Sequence, residues 1–212
     1  MMLTIPKSER LALREMDPIL GQVMDFLPPI ERPGTADLFE SIIGSIISQQ
    51  ISTKAAITIR QRLLDKVGSI TPENVAALSR EEIQALGMSF RKAGYMETIA
   101  QEVLSGRLNL EELSSFSDER VIEELVALPG VGRWTAEMLL IFSLGRSNVL
   151  SMDDLGIRRG IERVYAEPPN KETLRVLKEK FSPYGTAAGL VFWQVAGLGE
   201  EDLAQLYHSL GR

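Results

Sequence analysis

Two adjacent aspartates and two tryptophans are the residues whose types and positions could do chemistry in this 212-residue sequence. Asp153 and Asp154 precede a predicted helix, where aspartate is a favoured N-cap residue and an ionised carboxylate is stabilised by the helix dipole. Such a carboxylate can stabilise a developing positive charge or orient a water molecule. Trp134 and Trp193 offer electron-rich faces that attract cations. Considered alone, either aspartate is better explained as a cap, and Trp193, within LVFWQV, as core packing.

Composition excludes several other kinds of site. The chain has no cysteine, which excludes disulfides, thiolate nucleophiles and cysteine-bound zinc or iron–sulfur centres. With His208 as the only histidine, we expect no transition-metal centre and no cofactor. We also expect neither a secretion signal nor a membrane span, because no apolar run is long enough. The net charge of −6 argues against a protein that coats DNA through a basic surface, but not against one that touches a few phosphates.

The elements that must position these residues are predicted to be helices. Asp17 followed by proline indicates a helix start, and apolar residues recur with helical spacing over 38–47. Ser79 and Glu82 form the pattern of a capping box. No run of alternating residues predicts a set of strands, so the fold class is all-α. Further helices are predicted over 55–67, 90–104, 118–128, 133–144, 154–165, 171–181, 185–197 and 200–210.

A glycine-rich turn, Pro129-Gly130-Val131-Gly132, lies between two of these helices. Glycine allows tight turns and close backbone approach, and the N–H groups at the start of the following helix can bind an anion such as a DNA phosphate. For this turn by itself, a compact corner in which the glycines serve geometry alone is an equally good interpretation.

The residues around the turn resemble a known family. LPGVGRWTA (128–136) followed by MDDLGI (152–157) resembles the helix–hairpin–helix DNA glycosylase superfamily, over about Leu38 to Trp193. IFSLGR (141–146) and YGTAAGLVFW (184–193) look like its 3-methyladenine DNA glycosylase II branch. The resemblance implies two helical lobes with the active-site cleft between them. We expect a helix–hairpin–helix lobe over 38–153 and a second lobe formed by 1–37 and 154–212.

The same resemblance assigns roles to the candidate residues. It makes Asp154 the catalytic carboxylate, and since adjacent side chains before a helix point in different directions, Asp153 is expected to be the cap. Trp134 and Trp193 would line the base pocket with Met138, which stands where some relatives have an aromatic residue. Relatives that also cut the strand have a nucleophilic lysine at the position of Trp134, so a monofunctional enzyme is expected.

The implied activity is release of alkylated purines from double-stranded DNA after base flipping, in base excision repair. An N3- or N7-alkylated purine already carries positive charge and leaves as a neutral base, so one catalytic carboxylate suffices. The preferred lesion stays open among 3-methyladenine, 7-methylguanine, hypoxanthine and ethenoadenine. Two alternatives also stay open: a non-catalytic hairpin DNA-binding module, and a helical protein-interaction domain, which the acidic composition favours.

Contacts with the duplex are predicted at three places. Gln50 or Ile51, after the first motif helix, is the candidate for filling the gap left by the flipped base; a polar helix end is an equally good interpretation. The backbone carbonyls of Val126, Leu128 and Val131 would hold a monovalent cation beside a phosphate, as the resemblance implies. Basic residues that could touch phosphates, or simply face solvent, are Arg91, Lys92, Arg133, Arg158 and Arg159. We expect a monomer that binds damaged DNA and no membrane, and that is cytoplasmic and nucleoid-associated if the source is prokaryotic.

Overall fold

The computed structural model describes all 212 residues and contains thirteen α-helices and one small β-sheet, which confirms the predicted all-α class. The sheet pairs β1 (Met2–Thr4) antiparallel with β2 (Glu31–Pro33), a pairing that the sequence patterns did not predict. No helix is both long enough and apolar enough to cross a bilayer. The helices are α1 (Lys7–Met16), α2 (Pro18–Phe26), α3 (Leu38–Ser48), α4 (Thr53–Val67), α5 (Pro72–Ala76), α6 (Arg80–Ala85), α7 (Phe90–Leu104), α8 (Asp118–Val126), α9 (Arg133–Phe142), α10 (Leu155–Tyr165), α11 (Lys171–Lys180), α12 (Gly185–Ala196) and α13 (Glu200–Ser209).

The chain divides into two compact units, which we call the hairpin unit and the terminal unit. The hairpin unit is Thr35–Leu144, with α3 to α9, and the terminal unit combines Met1–Gly34 with Gly145–Arg212. The chain changes unit at Gly145, earlier than the predicted boundary between 153 and 154. Residues 145–153 belong with the terminal unit because Thr186 of α12 is hydrogen-bonded to them. The Thr186 hydroxyl donates to the Arg146 carbonyl at 2.7 Å and accepts from the Val149 N–H at 3.0 Å.

Local sequence signals explain where many of the helices begin. Asp17 caps α2 and Pro18 occupies its first turn, as predicted. Ser79 and Glu82 make the reciprocal hydrogen bonds of a capping box at the start of α6. Helix α1 escaped prediction because it has no side-chain cap and buries only Leu13 completely. Tertiary contacts hold this helix in place: Leu13 packs in the core of the terminal unit, and the Arg10 guanidinium donates to the Met24 carbonyl.

The terminal unit is built around the contact between α10 and α12. A β-carbon placed on Gly160 of α10 would lie 2.1 Å from the carbonyl oxygen of Phe192, so only glycine lets the two helices approach this closely. Around this contact, buried side chains from α1, α2 and α10 to α13 form one hydrophobic cluster, each stabilising the fold by about 1.5–3 kcal/mol. Members of the cluster include Leu13, Leu20, Val23, Ile157, Ile161, Val164, Leu177, Phe181, Val191, Phe192 and Leu206.

A buried polar network crosses the same unit. The Asp17 carboxylate accepts hydrogen bonds from Tyr165 Oη and Lys180 Nζ, both at 2.7 Å, and from the Leu20 N–H at 2.9 Å. Burial raises the pKa of Asp17, but these three donors and the Lys180 charge outweigh burial and hold the pKa below its usual value. Burial and the neighbouring Asp17 raise the pKa of Tyr165 well above its usual range, so the phenol stays a donor.

The network predicts a pH-dependent contribution to stability. Asp17→Asn should lower the free energy of unfolding at pH 7 by about 2 kcal/mol, because it removes a buried charge that Lys180 and Tyr165 require. Since the folded pKa is depressed, this contribution is fully present above the unfolded pKa and is lost as pH falls through the folded pKa. Urea titrations from pH 7 down to pH 3 should therefore show the two proteins converging. Asp25→Asn, at an exposed carboxylate paired with Arg10 and Arg14, is the control and should cost far less. A constant difference at every pH would contradict the argument.

Candidate active site

Asp154 lies at the start of α10 and is almost completely buried, with 8% of its surface exposed. Its Oδ1 accepts a hydrogen bond from the Ile157 N–H at 2.8 Å, which makes Asp154 itself the N-cap of α10. The expectation that Asp153 is the cap is therefore wrong; Asp153 is exposed. The reason is register: the helix begins at Leu155, so the residue directly before it occupies the capping position.

Trp193 contacts the same carboxylate. Its indole Nε1–H donates to Asp154 Oδ1 at 2.7 Å, from the last turn of α12, and the ring is half-buried. Two N–H donors and the helix dipole thus converge on one carboxylate, and all three stabilise negative charge there. A carboxylate held in this way is suited to stabilising a nearby positive charge or to orienting water.

The glycine-rich turn connects α8 and α9 in the hairpin unit. Gly130 has φ +81°, a conformation that favours glycine, and the Val131 N–H donates to the Leu128 carbonyl at 3.2 Å to close the turn. Gly132 precedes α9, and no side chain caps this helix. The turn therefore leads directly into the N-terminus of α9. Because glycine has no side chain, an anion could approach the backbone N–H groups there closely.

Side chains from α3 and α7 support the turn from behind. A β-carbon on Gly130 would lie 2.4 Å from the Tyr95 ring and 3.0 Å from Ile46, so the turn packs directly against both. Gln49 adds a hydrogen bond from its amide nitrogen to the Gly130 carbonyl at 2.7 Å. Sequence reasoning missed Gln49, because nothing in the pattern of a single chain shows that a residue 81 positions away reaches the turn.

The two candidate plug residues directly follow Gln49. Gln50 is exposed with φ +56°, an uncommon conformation for a non-glycine residue, and 39% of the surface of Ile51 is exposed. Lys92 stabilises this segment by donating from Nζ to the carbonyls of Ile47 and Gln49, at 2.9 and 2.5 Å. Burial lowers the pKa of the Lys92 ammonium. The Lys92 side chain thus serves the α3 C-terminus in this structure rather than extending into solvent, as a phosphate contact would require.

Trp134 and Met138 lie on α9, four residues apart and hence on one side of the helix. Trp134 is 48% exposed and Met138 is half-buried. On the same helix, Arg133 Nε donates to Glu137 Oε1 at 3.2 Å. Trp134, Met138 and the turn belong to the hairpin unit, whereas Asp154 and Trp193 belong to the terminal unit.

The remaining basic candidates occupy different settings. The Arg91 guanidinium lies 5.5 Å from the centre of the Tyr95 ring, behind the turn. Arg158 is half-buried and Arg159 is exposed on α10. The sequence grouped these residues by charge alone, but the structure separates them between the two units.

The side chains offer no metal-binding cluster: no three His, Cys, Asp or Glu residues come together to hold an ion. The carbonyl groups proposed for a cation are of a different kind. Val126 is the last residue of α8, where the helix dipole is negative, and the Leu128 carbonyl retains a second lone pair beside its bond to the Val131 N–H. These carbonyl donors suit a hard monovalent cation.

Comparisons with known proteins give the family. The family model described as HhH-GPD superfamily base excision DNA repair protein matches residues 43–183. DNA-3-methyladenine glycosylase 1 of Schizosaccharomyces pombe is 38% identical over 168 residues, which cover 76% of this chain and 74% of that protein.

Two solved structures are similar over nearly the whole chain. The crystal structure of DNA-3-methyladenine glycosidase from Bacillus halodurans has a TM-score of 0.89 at 35% identity, covering 98% of this chain and 99% of its own. Schizosaccharomyces pombe 3-methyladenine DNA glycosylase (Mag1) in complex with abasic DNA has a TM-score of 0.79 at 31% identity, covering 91% and 98%.

The packing behind the turn predicts that alanine is tolerated at Gly132 but not at Gly130. Gly130→Ala should lower the free energy of unfolding by about 2–3 kcal/mol, because a methyl group meets Tyr95 and the positive φ disfavours alanine. Gly132→Ala is the matched control, since no atom lies within 4 Å of its added β-carbon and its φ is −96°. Urea unfolding of both variants gives the comparison. Equal losses would show that the turn is not packed in this way.

Proposed function

Because the chain belongs to the HhH-GPD superfamily of base excision DNA repair proteins, we propose that it is a monofunctional DNA glycosylase that releases alkylated purines from double-stranded DNA. The observation that carries the proposal is the Asp154 carboxylate, fixed by the Ile157 N–H and the Trp193 indole N–H. The names of the relatives, which are 3-methyladenine glycosylases, support the substrate class.

The chemistry proposed for Asp154 follows from charge. Breaking the C1′–N bond of a nucleotide builds positive charge on the sugar, as in glycoside hydrolysis. A fixed anion stabilises that charge, and it also orients a water molecule whose oxygen forms the new bond to C1′. The carboxylate accepts the proton that this water molecule gives up. The alkylated base leaves with the electron pair of the broken bond and becomes neutral. No second acid is needed, because the base was cationic beforehand.

Two tryptophans would recognise that cationic base. Trp134 presents almost half of its surface, and an indole face attracts a cation by about 0.5–2 kcal/mol, depending on desolvation. Trp193 and Met138 would complete the pocket once the nucleotide has been flipped out of the duplex.

DNA is the proposed partner, and its backbone would be held largely without basic side chains. The turn Pro129–Gly132 would place the N-terminus of α9 against a phosphate, and a monovalent cation on the carbonyls of Val126, Leu128 and Val131 would neutralise charge beside it. Gln50 or Ile51 would fill the space left by the flipped base. The DNA complex of the Schizosaccharomyces pombe relative supports this choice of partner.

We further propose a monomer, since a single chain carries the turn, the carboxylate and both tryptophans. The proposed site of action is wherever the cell keeps its DNA, the nucleoid if the source is prokaryotic. No redox or organic cofactor has a part in the proposed hydrolysis.

Asp154→Asn should reduce base release from methylated double-stranded DNA by at least about 100-fold in single turnover. Asparagine is as good an N-cap as aspartate, so the fold and the affinity for abasic DNA should be retained while the charge is lost. Asp153→Asn is the matched control and should react like the wild type.

The outcomes of this assay also separate the alternatives. Full activity in Asp154→Asn with loss in Asp153→Asn would reverse the assignment. If the wild-type protein binds DNA but releases no base, the chain is a DNA-binding module. If it neither binds DNA nor releases a base, a protein-interaction domain is favoured.

Monofunctional chemistry gives a separate prediction. Trp134 occupies the position of the lysine that the resemblance assigns to strand-cutting relatives, and an indole cannot form a Schiff base. Borohydride added during turnover should therefore trap no covalent protein–DNA adduct, and product strands should stay intact until alkali is added. Trp134→Lys serves as the comparison under identical conditions. Efficient trapping of a covalent adduct by the wild-type protein would contradict the monofunctional mechanism.

A further inference from the structure

We infer that Gly156 is a positioning residue for the reaction: the lack of a side chain there lets the Trp193 indole reach the Asp154 carboxylate. Gly156 is the second residue of α10, two positions after Asp154, and it touches no substrate in this argument. The inference rests on the proposed function for its consequence in catalysis, but its structural part stands on geometry alone.

The space around Gly156 is filled by the two partners of the hydrogen bond. A β-carbon at this position would lie 2.8 Å from Cδ1 and 3.2 Å from Nε1 of Trp193, and 3.1 Å from Oδ1 of Asp154. All three distances are shorter than ordinary carbon contacts. Any side chain at 156 would therefore enter the place where the indole N–H meets the carboxylate.

Moving the helix axes apart to make room would disrupt the buried cluster that packs around α10 and α12. One turn further along α10, Gly160 faces the backbone of Phe192, where an added β-carbon would lie 2.1 Å from the carbonyl oxygen. This contact fixes the spacing of α10 and α12 directly beside Trp193. At 156 the obstacle is a half-buried side chain, which can rotate. An alanine at 156 should displace the indole and leave the helices in place.

Displacement removes the indole donor from Oδ1. The Ile157 N–H remains, because it belongs to the backbone of α10, but the indole N–H is lost. A hydrogen bond to a charged acceptor has a large effect on the state that it stabilises, so the single-turnover rate should fall by roughly tenfold or more. Alanine has a higher helix propensity than glycine, which offsets part of the loss of this hydrogen bond, so the melting temperature should fall only slightly. A large loss of activity with a small loss of stability is the signature of positioning.

Nuclear magnetic resonance tests the structural part without any substrate. The chain has two tryptophans, so a ¹H–¹⁵N spectrum contains two indole cross-peaks, and Trp134→Phe assigns them. An indole N–H proton that is hydrogen-bonded to a carboxylate resonates downfield and exchanges slowly with solvent. We expect Gly156→Ala to move the Trp193 peak upfield and to accelerate its exchange. Gly44→Ala, at a helical glycine with no atom within 4 Å of an added β-carbon, is the matched control and should move neither peak.

Single-turnover release of 7-methylguanine tests the catalytic part, with abasic-DNA affinity and melting temperature measured in parallel. Gly156→Ala should lower the rate in the wild-type background but change it by no more than about twofold in a Trp193→Phe background, where the N–H is already absent. Gly44→Ala should keep the wild-type rate. An equal loss in both backgrounds would overturn the inference, and so would an unmoved indole peak or an unfolded Gly156→Ala protein. A wild type without base release would defeat the proposed function, while the indole spectrum would still decide the structural claim.

Discussion

The close contact between α10 and α12 is the constraint on which the terminal unit depends. At Gly160 the two backbones meet without an intervening side chain, and this spacing carries Trp193 to within hydrogen-bond distance of Asp154. A wider helix pair would take the indole donor away from the carboxylate. The hydrophobic cluster that surrounds the contact therefore does more than stabilise the fold. It also holds the Trp193 indole nitrogen 2.7 Å from the Asp154 carboxylate, and helices position such groups more precisely than loops do.

The acidic composition of the chain is compatible with the proposed DNA binding, in which backbone N–H groups of the hairpin unit would meet a phosphate in place of basic side chains. Gly132 leaves the start of α9 without a side-chain cap, so the helix dipole is directed at whatever approaches the turn. Lys92 and Gln49 shape the adjoining loop through hydrogen bonds to carbonyl groups. Such a surface contributes few charges to the total of −6, yet it offers a phosphate several N–H donors.

The elements of this fold could be predicted wherever the signal is local. Asp17 and Ser79 are capping residues that indicate where α2 and α6 begin, and the PGVG turn indicates the connection between α8 and α9. The assignment of the cap to Asp153 failed because a register difference of one residue is below what sequence patterns resolve. Gln49 and Gly156 could not be found at all. Their importance lies in what they touch after folding, and a glycine in a helix gives no sign of which side chain its absence admits.

In the proposed mechanism, Asp154 combines a structural and a catalytic role, and these roles usually compete. A catalytic group is expected to cost stability, since burying an ionised carboxylate is unfavourable. Here the same carboxylate caps α10 and accepts from the indole, so the contacts that hold the fold also fix the position of the carboxylate. A substrate that arrives as a cation suits such a site, because it brings its own leaving-group activation and needs only an anion in return. Under the proposed function, the single carboxylate and the preference for alkylated purines would therefore be two consequences of one electrostatic arrangement.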